Sequence, residues 1–461
     1  MNPTETSPVI TEADVVVIGM GPAGEHVAGR LAEAGLEVVG IDRELLGGEC
    51  PYWGCVPSKM MIRSANLLAE ARRIPSMAGS AEVQADWAPV AARIREEATA
   101  DWDDDVAVKR FEGKGGLFLR GTGRLVGADL VEVAGTQIRS RRGVVVATGT
   151  TAAIPPIPGL ADAPYWTNRE AIGTESVPAS LIVLGGGAIG VELAQVFARF
   201  GAQVTVLEAQ EQLLPLEEPE SGALLAAALE EDGLHIRSGV GADAVAHGSE
   251  GFEVQLADGS TMRADRLLVA TGRRVDLSSF GAGAIGIDEE ARALEVDDHL
   301  RVTDGVWAVG DVTGRGAFTH VGMYQANIAI ADILGRPHVP ADYRGLPRVT
   351  FSDPEIGSVG LTERAAREAG LDVAVSTVDV GGTARGWIHK AGNQGLIKLV
   401  ADRSNGVLVG ATSAGPAGGE VLGLLTLAVH ARVPLATLRT MIYAYPTFHR
   451  GVEDALNGLE P

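Results

Sequence analysis

Val15-Val16-Val17-Ile18-Gly19-Met20-Gly21-Pro22-Ala23-Gly24 has a counterpart later in the chain, Leu181-Ile182-Val183-Leu184-Gly185-Gly186-Gly187-Ala188-Ile189-Gly190. Each is a short apolar run of the kind buried on both faces of a parallel sheet, followed at once by a glycine-rich turn. Helical periodicity follows in both, over about Glu25 to Ala34 and through about Arg199. A second apolar run then ends on an acid: Leu36 to Ile41 on Asp42, Gln203 to Leu207 on Glu208. Strand, glycine turn, helix, strand, acid is the dinucleotide fingerprint in its required context. Gly19, Gly21 and Gly24, and again Gly185, Gly187 and Gly190, let the backbone approach a pyrophosphate at a helix N-terminus, while Asp42 and Glu208 can accept from a ribose. In both copies the acid lies 23 residues after the first glycine. One such turn is weak evidence; two with equal spacing predict two nucleotide-binding domains.

Each copy has a later partner strand ending in a tight turn, Gly143 to Thr148-Gly149 for the first and Leu267 to Thr271-Gly272 for the second. Ile154-Pro155-Pro156-Ile157-Pro158-Gly159 reads as a stiff linker out of the first domain. Trp307-Ala308-Val309-Gly310-Asp311 is another strand ending on an acid, before a helix expected from about Met323 to Leu334. After Pro347 alternating strands (Val373 to Val380, Gly395 to Val400, Val407 to Thr412) and helices (Gly419 to Ala431, Pro434 to Met441) predict a third, α+β domain. The fold class expected is α/β: two Rossmann-like nucleotide-binding domains plus a C-terminal α+β dimerisation domain. The boundaries expected are 1–155 and 275–345 for the first, 156–274 for the second and 346–461 for the third.

At 461 residues, 46% hydrophobic and 21% charged, the chain can bury several cores and is not a disordered protein. A net charge of −22 would repel a phosphate backbone or an anionic membrane surface, so neither nucleic acid nor membrane is an expected partner. Residues 1–13 show no basic start and no apolar run of a leader, and Leu181 to Ala198 carries glycines and Glu192, which a spanning helix rarely tolerates. A cytoplasmic location is expected. The acidic run Asp101, Asp103, Asp104 and Asp105 reads as a solvated helix end.

The two cysteines of the chain, Cys50 and Cys55, stand in Gly47-Gly48-Glu49-Cys50-Pro51-Tyr52-Trp53-Gly54-Cys55-Val56-Pro57-Ser58-Lys59, just past Asp42. In a regular helix, residues five apart have Cα atoms roughly 8–9 Å from one another, too far for a disulfide, so the turn must be distorted. Pro51 and Gly54 permit that. Beside a nucleotide fingerprint the pair reads as a redox disulfide; two buried free thiols or half a zinc site are the other readings. No CxxC or clustered histidine supplies further ligands, and no metal is assigned.

These motifs together resemble the flavoprotein pyridine nucleotide-disulfide oxidoreductases, the family of dihydrolipoamide dehydrogenase, glutathione reductase and mercuric reductase. The likeness covers almost the whole chain and includes the GGxCxxxxGCxPSK segment, Gly190-Val191-Glu192 after the second glycine turn, Gly310-Asp311, and Phe351-Ser352-Asp353-Pro354-Glu355. The resemblance implies FAD on the first fingerprint with Gly48, Thr148, Gly149, Gly310 and Asp311, and NAD(P)H on the second with Gly272. It implies that Lys59 pairs with Glu192 near the flavin, that Cys55 faces the ring, and that Cys50 is the outward thiol attacking an acceptor. It also implies a homodimer.

The disulfide-reducing members carry His-Pro-Thr near the C-terminus, with a glutamate five residues past the histidine. This chain has Tyr445-Pro446-Thr447 and Arg450. A phenol is a poor base at neutral pH where imidazole is well matched, which argues against efficient dithiol oxidation. His449 is the other candidate base. Mercuric reductases resemble this chain in having tyrosine there, and in Pro164-Tyr165-Trp166-Thr167, but carry a further cysteine pair for which this sequence has no counterpart. Glu208, with no cation in Ala209-Gln210-Glu211-Gln212, favours NADH over NADPH. The expected enzyme passes electrons from NAD(P)H through FAD and Cys50–Cys55 to a small disulfide or other soft acceptor. The alternatives are a quinone or dye reductase using flavin alone, a mercuric reductase-like enzyme, and a non-catalytic flavin-loaded subunit.

Overall fold

A computed structural model describes residues 11–459; the first residues read for a leader, and Glu460 and Pro461, lie outside them. The chain divides into two compact units. One comprises Met1–Pro57, Arg95–Ala152 and Arg273–Asp342; the other comprises Ser58–Ile94, Ala153–Gly272 and Tyr343–Pro461.

The first unit is built on an eight-stranded sheet. Its parallel centre runs Val306–Ala308, Thr136–Val146, Glu12–Ile18, Val38–Asp42 and Leu117–Arg120, with Val15 opposite both Val38 and Gly143. Alternation along Glu12–Ile18 explains why four apolar residues in a row are needed. Val15 and Val17 enter one core with Leu31, Phe111 and Trp307, and Val16 and Ile18 enter the other with Ile138 and Phe280. Helix Pro22–Glu33 packs on helix Thr319–Ile333. The latter starts one turn earlier than the periodicity suggests, because Thr319 and His320 are polar yet lie in its first turn.

The second unit repeats the plan. A parallel sheet orders His235–Ser238, Gln203–Glu208, Ser180–Leu184 and Arg266–Val269, next to an antiparallel meander of Ala242–Gly248, Gly251–Leu256 and Thr261–Ala264. Helix Ala188–Arg199 is buried almost all round, including Glu192, Gln195 and Arg199. The C-terminal part is a five-stranded antiparallel sheet in the order Pro347–Thr350, Glu355–Gly360, Val407–Gly415, Leu396–Asp402, Val373–Asp379, covered by helices Gly418–His430 and Gly451–Gly458. No helix among the described residues is long and apolar enough to cross a membrane.

The acidic run corrects one expectation. Asp101, Asp103 and Asp105 are exposed, but Asp104 is buried. Its carboxylate accepts from the Leu46 N–H at 2.6 Å and from the Arg120 guanidinium at 2.7 and 2.8 Å. It pins the backbone just ahead of the cysteine segment.

Candidate functional site

The first glycine turn is closed by contact. Gly19 has φ +93°, and a Cβ on Gly24 would stand 1.9 Å from the Gly19 carbonyl oxygen, so strand and helix can meet only without side chains there. A Cβ on Gly21 would meet only the Gly48 Cα, at 4.0 Å, and helix Pro22–Glu33 has no side-chain cap. Its free N–H groups suit a phosphate. The second turn has the same form: Gly185 at φ +108°, a Gly190 Cβ 2.0 Å from the Gly185 oxygen, open space at Gly187 and an uncapped helix.

Asp42 and Glu208 do the same work in the two copies. Asp42 accepts from the Met20 N–H at 2.7 Å and the Glu44 N–H at 2.8 Å; Glu208 accepts from the Gly186 and Gln210 N–H groups, both at 2.7 Å. Each acid thus clasps its own glycine turn and still has lone pairs for a ribose. Burial pushes the Asp42 carboxyl above its ordinary range, against the pull of those two backbone bonds.

Gly310 has φ +83° and donates to Oε1 of the fully buried Gln325 at 2.6 Å. The following Asp311 accepts from the Thr150 hydroxyl at 2.7 Å, and Arg273 donates to that hydroxyl and to the Thr150 carbonyl, both at 2.7 Å. Burial raises the Asp311 carboxyl, with the Thr150 bond opposing. Thr148 and Gly149 close the strand Thr136–Val146, and Asp311, Thr150 and Arg273 line a polar cavity of about 780 Å³. Thr150, Arg273 and Gln325 were not singled out from the sequence; the threonine and arginine each lie directly beside a strand-end glycine, Gly149 and Gly272, which was the available signal.

The cysteine segment is distorted by a break. Cys50 lies on the short helix Glu49–Tyr52; Trp53 leaves helical geometry at φ −133°, and Cys55 opens helix Cys55–Arg73. No disulfide joins them in the structure, where Cys50 is half-buried and Cys55 exposed. Cys55 Sγ is 3.4 Å from the Thr319 hydroxyl. Hydrogen bonding to Cys55, then burial, pushes the Cys50 thiol well above its ordinary range. With its thiol so raised, Cys50 needs a base before it can attack. Trp53 stacks on Trp102 with centroids 5.0 Å apart, and the Trp102 indole donates to the Tyr52 carbonyl at 3.3 Å. Ala100, Asp101 and Trp102 all have positive φ, the backbone contortion that delivers this ring. No motif announces it.

In the second unit Lys59 Nζ is 2.8 Å from Glu192 Oε2 and 4.8 Å from the centroid of the Phe351 ring. The other oxygen of buried Glu192 accepts from the Phe351 N–H at 2.7 Å. Two of the family-like motifs thus meet on one carboxylate.

Tyr445 and His449 part company. Tyr445 is 70% exposed in an irregular segment with a cis bond to Pro446, and the short helical turn begins only at Phe448. Proline's fixed geometry takes the chain out of helix, so His449 is not stacked one helical turn beyond Tyr445. The His449 ring lies against Tyr443, and Arg450 sits over the Tyr445 ring at 5.4 Å while pairing with Glu453 at 2.7 Å.

The family model for pyridine nucleotide-disulphide oxidoreductases matches residues 13–329, and that for their dimerisation domain matches residues 346–456. The chain is 32% identical to a dihydrolipoyl dehydrogenase of Chlorobaculum tepidum, covering 96% of each sequence. It is also 32% identical to a mercuric reductase of Acidithiobacillus ferrooxidans, over 96% of this chain and 82% of that one. Among solved structures, the HOCl-induced flavoprotein disulfide reductase RclA of Escherichia coli, as its Cu(II) complex, superposes with a TM-score of 0.85 at 26% identity, covering 97% and 99% of the two chains. LpdA of Mycobacterium tuberculosis gives the same figures. The paired glycine turns, the Cys50/Cys55 segment and these matches along almost the whole length lead to one conclusion: the chain belongs to the pyridine nucleotide-disulphide oxidoreductases, which are NAD(P)H-dependent flavoenzymes.

Proposed function

We propose that the protein is a homodimeric, NADH-preferring enzyme that reduces a small disulfide or other soft acceptor through a Cys50–Cys55 redox pair. Residues 1–155 and 275–345 bind FAD, 156–274 bind the nicotinamide nucleotide, and 346–461 form the dimer contact. The observation that carries the reading is the hydrogen-bonding contact between the Cys50 and Cys55 thiols, with Thr319 within hydrogen-bond distance of Cys55, in the unit that holds the uncapped helix Pro22–Glu33 and Asp311. Bound FAD supplies the carrier that takes an electron pair from the reduced nicotinamide. The chain's residues do the rest. Gly19, Gly21, Gly24, Asp42, Gly48 and Asp311 hold FAD, and the second turn with Glu208 and Gly272 holds the nucleotide.

The Cys50–Cys55 disulfide accepts two electrons and two protons, its S–S bond breaks, and two thiols result. Cys50, once deprotonated, attacks an acceptor sulfur, the acceptor's own thiolate leaves, and Cys55 resolves the mixed disulfide. Lys59, fixed by Glu192, would supply a positive charge to a bound flavin. The test is a panel of NADH-driven acceptors, lipoamide, Hg(II) and a quinone, with the native protein and Cys50→Ser. Loss of disulfide reduction with the quinone rate unchanged supports the reading; unchanged rates with every acceptor would make this a flavin-only reductase.

A further inference from the structure

Far along the first unit's sequence from its cysteines, three potential metal ligands converge. His299 Nδ1 lies 2.8 Å from His338 Nε2, and Asp332 Oδ1 lies 3.9 Å from the same nitrogen; their ligand atoms fall within 4.8 Å of one another. Among the described residues this is the one group of three or more His, Cys, Asp or Glu side chains so arranged. We propose that His299, His338 and Asp332 bind a divalent transition-metal ion of the Zn(II) class and thereby tie the His299 loop to the tail of helix Thr319–Ile333.

The three ligands are aimed before any ion arrives. His338 Nδ1 is 3.0 Å from the Arg336 carbonyl oxygen, which can only accept, so the ring proton sits on Nδ1 and Nε2 presents its lone pair toward His299. Pro337 and Pro340 flank that residue and restrict its backbone. His299 precedes Leu300, a fully buried residue at φ +67° that belongs to the first unit's core. The Asp297 carboxylate holds the same loop by accepting from the N–H groups of His299 and Arg301 at 2.8 and 2.9 Å. Asp332 is oriented by Arg301 at 2.6 and 2.8 Å and by the Trp307 indole at 2.8 Å. Those three bonds leave one lone pair of the carboxylate for a further partner. Asp297 and Asp304 add negative charge around Arg301, which keeps the neighbourhood hospitable to a cation despite the guanidinium.

The dimensions suit a small ion. Metal–nitrogen bonds near 2.0–2.1 Å at a tetrahedral angle place two imidazole nitrogens about 3.3 Å apart, so the two rings need to part by only about half an ångström. Two imidazoles and one carboxylate select borderline ions over Mg(II) or Ca(II), and a water completes four-coordination.

The test is zinc binding to the purified flavoprotein, read as metal content after dialysis and as the Zn(II) dependence of the melting temperature. Native protein and the Cys50→Ser/Cys55→Ser variant should both retain about one zinc per chain. His299→Asn and His338→Asn should each weaken binding by at least about tenfold and abolish the zinc-dependent rise in melting temperature, with native circular dichroism and NADH oxidation unchanged. The histidine variants carry the test because Asp332 also holds Arg301 and Trp307. Absence of stoichiometric zinc, zinc binding undiminished in both histidine variants, or zinc lost with the cysteines would each overturn the proposal.

Discussion

Cys55 Sγ stands 3.4 Å from the hydroxyl of Thr319, the first residue of the helix that follows the Gly310-Asp311 turn. Hydrogen bonding to Thr319 works against the upward push on the neighbouring Cys50 thiol. Thr319→Val keeps the shape and removes the hydroxyl, so the Cys50 thiol should rise further. Alkylation of Cys50 in the reduced protein should slow several-fold at a fixed, mildly alkaline pH, while Thr319→Ser should restore it. Equal rates in all three proteins would show that Thr319 does not tune the pair.

Asp353 is the hinge of a second, purely structural network. Arg199, 2% exposed, donates to it at 2.7 Å and Arg73 at 2.8 Å. Burial opposes its ionisation, but the two guanidinium groups outweigh that and hold the carboxyl below the usual range. Asp353→Asn should cost about 2 kcal/mol at neutral pH, because Arg199 keeps Asp232 at 2.8 Å but loses its second carboxylate. A depressed folded pKa means that this contribution is complete above the ordinary value near 3.9 and is lost as pH falls below it. The gap in melting temperature between native and variant should therefore narrow on acidification below about pH 4; a constant gap would contradict the assignment.

The sequence was legible where chemistry forces residue type and spacing together. A glycine whose Cβ would meet a backbone oxygen, as at Gly24 and Gly190, has no substitute, so both turns and both acids could be located from the residues. Glu192 was found through a motif, and its partner Phe351 N–H only through the fold. Asp104 reads as solvated, and Gln325 and Trp102 as nothing in particular, for a common reason: each acts across long-range contacts to a backbone or a ring that no local pattern encodes. The histidines 299 and 338 are equally silent, 39 residues apart and joined by tertiary structure alone.

Glu208, which we propose reads the nucleotide's ribose, also clasps the Gly186 N–H. Native protein should show a higher kcat/KM with NADH than with NADPH. Glu208→Arg should move the ratio toward NADPH while lowering both values, because the turn loses its clasp. A ratio unmoved by the substitution would leave Glu208 as a structural residue only.

Tyr445 bears on the acceptor. Because the Cys50 thiol is held above its ordinary range, its neutral form persists to higher pH, and acceptor reduction should keep rising with pH past the range where an ordinary thiol levels off. Tyr445→Phe should alter that profile little. Tyr445→His should raise lipoamide turnover near neutrality, by less than the 10²–10⁴ that a well-oriented base can give, roughly, since Arg450 occupies the ring's face. Rapid dihydrolipoamide oxidation by the native protein would mean that another group, His449 first, serves as base.

The chain's two cysteines make its central claim countable. Thiols are titrated in denaturant, anaerobically, before and after one equivalent of NADH is added to the flavoprotein. A redox pair predicts that both thiols are masked in the oxidised protein and that both appear after NADH, without any added dithiol. Two free thiols before NADH, or none released after it, would contradict the account.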